Sequence, residues 1–77
     1  MNLYNTKKGY TYRVERINGG RQFSNKMDSM GILPGKKVKR INSGVTGGPV
    51  VIQVGNAQYA LGRGMASKIQ VKKIDNE

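Results

Sequence analysis

The stretch Tyr10-Thr11-Tyr12-Arg13-Val14-Glu15-Arg16-Ile17-Asn18-Gly19-Gly20, continued by Arg21-Gln22-Phe23-Ser24-Asn25-Lys26-Met27-Asp28-Ser29-Met30-Gly31, changes its periodicity once. Before the glycine pair, Tyr10, Tyr12 and Val14 alternate with Thr11, Arg13 and Glu15, the period-2 pattern of a half-buried strand. Ile17 falls one position out of phase, which predicts a bulge or the strand end. After the pair, Phe23, Met27 and Met30 stand at i, i+4 and i+7, along one face of a helix. Gly31 follows where a left-handed C-terminal residue is wanted, and Pro34 comes three positions later. The reading is one strand, then one short helix over residues 21–30.

Downstream the pattern returns to strands. Leu33-Pro34-Gly35-Lys36 is a turn, with Pro presetting φ at its second position and Gly supplying positive φ at its third. Residues 36–41 read as a strand with a phase change between Val38 and Ile41. Both are expected to point inward across a bulge, leaving Lys36, Lys37, Lys39 and Arg40 outside. Asn42-Ser43-Gly44 and Gly47-Gly48-Pro49 mark a loop around Val45-Thr46. Residues 49–54 are β-branched and are expected to form the most buried strand. Gly55-Asn56 matches a two-residue hairpin turn, and residues 58–61 return from it. The run from Gly62 to Ser67 allows a single helical turn before a last strand at Ile69 and Val71. Asp75-Asn76-Glu77 is expected to fray.

Five short strands with one inserted helix hide their edges best by curling into a barrel. The fold expected is mainly β: a small five-stranded SH3-like or OB-like barrel. It forms a single domain over residues 1–77, with its core at about residues 3–73. Seventy-seven residues leave too little chain for a second core.

Composition narrows the function. Fourteen Lys and Arg oppose four Asp and Glu, for a formal charge of +10. Cys and His are both absent, which removes disulfides, thiolate metal sites and the commonest general base and metal ligand. The expectation is a non-enzymatic protein with no cofactor, no tight metal site and no small-molecule substrate. Glu15, Asp28, Asp75 and Glu77 are the only carboxylates, and apart from the terminal pair none lies at ligand spacing with another. No apolar run approaches the length of a membrane helix, and the first residues lack the apolar stretch of a secretory signal. The chain therefore reads as cytoplasmic. Gly31-Ile32-Leu33-Pro34-Gly35-Lys36-Lys37 superficially matches a phosphate-binding loop. It is one residue short between its glycines, however, and Lys37 stands where Ser or Thr would hold Mg²⁺.

The densest charge cluster, Lys36, Lys37, Lys39 and Arg40, admits three readings. It could protect a sheet edge, bind nucleic acid, or dock an acidic partner or anionic membrane. Edge protection is the blandest. The five aromatics, Tyr4, Tyr10, Tyr12, Phe23 and Tyr59, do not interleave with the basic cluster, which weakens the nucleic-acid reading. Tyr10 and Tyr12 share a strand face and read as half-buried core rather than a stacking platform.

Taken in order, the motifs resemble a known family. A leading Leu3 and Gly9 precede a strand ending in Ile17-Asn18-Gly19-Gly20, and a short helix runs into Met30-Gly31-Ile32-Leu33-Pro34-Gly35. Gly47-Gly48-Pro49-Val50-Val51-Ile52, Tyr59-Ala60-Leu61 and Ala66-Ser67-Lys68-Ile69-Gln70-Val71 follow. The series is similar to the FeoA family of small cytosolic accessory proteins of bacterial ferrous iron transport. The likeness runs from about Leu3 to Lys73. It implies an SH3-like barrel and a non-enzymatic adaptor whose partner is FeoB, a membrane iron transporter with a cytosolic GTPase domain. The same barrel ends the metal-dependent repressors resembling the diphtheria-toxin repressor, whose winged-helix and dimerisation segments 77 residues would not accommodate. The alternative function is a small basic barrel binding RNA or DNA.

The expected partner surface is the corner of Met30, Ile32, Leu33 and Pro34, rimmed by Lys36, Lys37, Lys39 and Arg40. Apolar groups on a turn are hard to bury in a small core, and apolar centres ringed by charge suit binding. The basic rim would face an acidic partner or the anionic inner leaflet, which makes a peripheral position at the inner face of the membrane the second localisation expected.

Overall fold

The period switch at Gly19-Gly20 is a change of element. In the computed structural model, which describes residues 1–43 and 47–74, β1 spans Thr11–Ile17 and α1 spans Gly20–Ser29. The loop expected around Val45-Thr46 and the tail Asp75-Asn76-Glu77 lie outside the described residues. The expected irregularity near Ile17 is a bulge between Val14 and Arg16. It exposes both Glu15 and Arg16 and turns Ile17 back toward the core, opposite Ile69.

α1 ends as its residues predict. Gly31 takes φ +82°, and its N–H donates to Asp28 O at 2.9 Å while the Ile32 N–H donates to Met27 O at 2.9 Å. These paired bonds make a Schellman ending, and its apolar seal is Met27 with Ile32, both fully buried. The chain then turns at Pro34-Gly35, where Gly35 has φ +93° and the Lys36 N–H donates to Leu33 O.

Four more strands follow: β2 (Lys37–Arg40), β3 (Val50–Val54), β4 (Ala57–Leu61) and β5 (Ile69–Lys73), with a helical turn α2 (Arg63–Ala66) before the last. The pairing is antiparallel throughout and the order is β4-β3-β2-β1-β5. The fold is the five-stranded SH3-like barrel with one inserted helix. Val50 and Ile52 are buried, and β3 is the one described strand with no exposed residue, as its β-branched run predicts. Val54 and Ala57 pair across the Gly55-Asn56 turn. At the far edge, a 3-10 turn (Leu3–Asn5) brings Asn2 against Gln70, and the Val71 N–H donates to Met1 O at 2.8 Å. The N-terminal segment thus shields part of the β5 edge.

Three expectations fail. β2 shows no phase change: it alternates strictly, and the inward residues are Val38 and Arg40 rather than Val38 and Ile41. Ile41 follows the strand and is half-buried. Edge protection also fails as an account of the basic cluster, because β2 is the middle strand of five. Tyr10 and Tyr12 are not a matched pair. Tyr12 is buried, its hydroxyl accepting from the Lys7 N–H at 3.0 Å, whereas Tyr10 precedes β1 and is 46% exposed.

Candidate functional site

The end of α1 and the tip of the β3–β4 hairpin face one another across a shallow, open groove of about 600 Å³. Met30, Gly31, Val54, Ala57 and Tyr59 line it, and Lys36 and Lys37 stand beside them. Met30, Val54 and Tyr59 are half-buried against the core. Gly31 carries a second constraint here, since a Cβ would come within 3.3 Å of a Val54 methyl. The absence of a side chain lets the helix end sit against β3.

The residues expected to form the partner surface divide. Met30, Lys36 and Lys37 are brought together in the groove. Lys39 is exposed on the outer face of β2 and lines a smaller neighbouring hollow with Lys37 and Gly55. Half-buried Leu33 and exposed Pro34 belong to the turn and lie outside the groove lining. Ile32 is wrong as a surface residue: it is 0% exposed, because the Schellman ending folds it back under the helix.

Arg40 is wrong as a rim residue. It is 2% exposed, and its guanidinium is held by backbone and neutral side chains. Nη1 donates to Thr6 O at 2.7 Å and to Thr6 Oγ1 at 3.0 Å, while Nε donates to Asn42 Oδ1 at 2.9 Å. Asn42 in turn accepts from the Val51 N–H and donates to Pro49 O. Burial lowers the pKa of Arg40, against the opposing influence of Tyr12 and Tyr4. Arg40 is a structural clasp between the N-terminal segment, β2 and the strand after the loop.

Sequence reasoning missed Val54, Ala57 and Tyr59. The one local signal was apolar residues flanking the Gly55-Asn56 turn, where a free hairpin tip would carry polar ones. Elsewhere, aromatic faces are covered by cations: Arg63 lies over Tyr4 at 5.2 Å, Lys68 over Phe23 at 5.1 Å and Lys73 over Tyr10 at 4.0 Å. Those rings are not open platforms for base stacking.

Among the described residues, no three Asp or Glu side chains converge as a cation site would need. Calorimetric titration with Fe²⁺ is expected to show no one-to-one site of micromolar or better affinity. A saturable site of that strength would overturn the reading of this surface as purely a docking one.

A small barrel with a mixed apolar and basic groove at its helix end has the make-up of a binding module. The FeoA domain family matches residues 1–73, and the chain belongs to the FeoA family. A curated relative from Methanocaldococcus jannaschii, named for Fe(2+) transport as protein A, is 38% identical over 69 residues, 90% of this chain and 82% of its own length. The crystal structure of an iron uptake regulatory protein (FeoA) is similar at a TM-score of 0.88 and 32% identity, over 96% of this chain and 97% of that one. A manganese-dependent transcriptional repressor shares the fold, at a TM-score of 0.84 and 23% identity over 96% of this chain and 41% of the repressor.

Proposed function

We propose that the chain is a non-enzymatic cytosolic adaptor of ferrous iron transport that docks on the cytosolic part of a FeoB-type membrane GTPase. The observation that carries the proposal is the groove between α1 and the β3–β4 hairpin, in a chain of the FeoA family whose curated relative is named for Fe(2+) transport and whose structural neighbour is named for iron uptake. Met30, Val54 and Tyr59 give the groove an apolar floor. Lys36 and Lys37 give it a positive border that would speed encounter with an acidic partner surface. The floor would set the dissociation rate, since desolvated apolar anchors hold most of the binding energy in such contacts.

Co-purification and titration with the transporter's cytosolic domain test this. Met30→Glu places a carboxylate on the floor and is expected to weaken binding at least ~30-fold without unfolding the domain. Charge reversal at Lys36 and Lys37 should slow association chiefly at low salt. Leu33→Asp, outside the groove, should leave affinity within about threefold. If Leu33→Asp abolishes binding and Met30→Glu does not, the turn rather than the groove carries the contact.

A further inference from the structure

We infer that the outer face of β5-β1-β2 is an adsorption surface for an anionic lipid bilayer. The register puts Lys72 directly opposite Arg13, and Arg13 directly opposite Lys37, so one row across three strands is entirely cationic. All three side chains are exposed. Lys39 follows on the same face of β2, and the bulge in β1 adds Arg16 opposite Gln70. Five cations thus share a face whose only carboxylate among the described residues is Glu15, which the bulge also exposes.

Like charges directly opposite in a sheet are destabilising. Lys72 lies on the edge strand β5, but Arg13 and Lys37 lie on the interior strands β1 and β2, so edge protection does not account for the row. Within β5, β1 and β2 the rest of the face is Thr11 and Gln70, and half-buried Ile74 follows β5 beside Thr11, at the end of the face rather than its centre. A protein partner of ordinary kind would want an apolar centre, which the groove has and this face lacks. Single-stranded nucleic acid would want an open aromatic face, and this face has none. A bilayer carrying anionic headgroups needs neither. It requires several basic groups presented together, within a Debye length of the surface. The inference does not rest on the transporter reading, because adsorption to lipid requires no other protein.

The test is sedimentation with vesicles of phosphatidylcholine alone or with roughly 40% phosphatidylglycerol, at about 0.1 M and about 0.5 M salt. The protein should bind the anionic vesicles at low salt and neither kind at high salt. The triple variant Arg13→Gln, Lys37→Gln, Lys72→Gln should lose on the order of 100-fold in partitioning, while melting at a higher temperature because the like-charge row is gone. Lys8→Gln, Arg21→Gln, Lys26→Gln removes the same net charge from exposed positions off the sheet and should lose less than about fivefold. Equal losses in the two triples would show that net charge alone acts and overturn the assignment. So would failure to bind anionic vesicles, or binding to RNA, duplex DNA or polyglutamate at 0.1 M salt that exceeds binding to the vesicles and needs the same row.

Discussion

Arg40→Ala is expected to lower the stability of the domain by about 3 kcal/mol, and Arg40→Met by about 2 kcal/mol. Truncation to Ala removes three hydrogen bonds made by a charged group and the packing of the aliphatic stem. It also leaves the buried Thr6 carbonyl without its guanidinium donor. Met keeps the stem and sheds the cost of burying a charge that has no carboxylate partner among the described residues, so its penalty is smaller. A domain of this length holds about 4 to 12 kcal/mol in total. The Ala variant should therefore melt about 15 °C lower. Urea titration measures both values, and amide exchange should show the segment around Leu3 to Thr6 opening first. Wild-type stability in Arg40→Met would mean that the clasp contributes nothing net.

The second large effect is at Ile32. Ile32→Ala is expected to cost about 3 kcal/mol, as large-to-small changes at fully buried positions do. It also removes the apolar seal of the α1 ending against Met27. Ile32→Asp should leave the chain unfolded at room temperature, because a carboxylate there has neither water nor a partner. The neighbouring Leu33→Asp should cost about 1 kcal/mol or less. The contrast between adjacent apolar residues is the informative part. Comparable losses at positions 32 and 33 would contradict the buried and half-buried placements on which the groove is drawn.

What was legible in the sequence was local. The strand, glycine pair and helix announce themselves by a change of period, and Gly31 and Gly35 stand where the backbone takes positive φ. The hairpin at Gly55-Asn56 could be read from the same kind of signal. At Arg40 two signals conflict: its charge points outward, whereas the alternation of Lys37-Val38-Lys39-Arg40, which the strand follows, points it inward. The partner that makes its burial tolerable, Thr6, lies 34 positions away. Edge protection was plausible only while strand order was unknown, since nothing in residues 36–40 says that β2 is central. The groove had the same difficulty. Met30, Lys36 and Lys37 belong to one stretch, whereas Val54, Ala57 and Tyr59 join them only through a sheet pairing formed far along the chain.

The docking proposal is tested most directly by a chemical-shift footprint on the isotopically labelled domain, titrated with the cytosolic GTPase domain of a FeoB-type transporter. The account predicts that the largest perturbations fall at Met30, Gly31, Lys36, Lys37 and along Val54 to Tyr59, the residues around one groove. A footprint centred on the 3-10 turn and α2, around Tyr4 and Arg63, or the absence of any footprint at saturating partner, would contradict it.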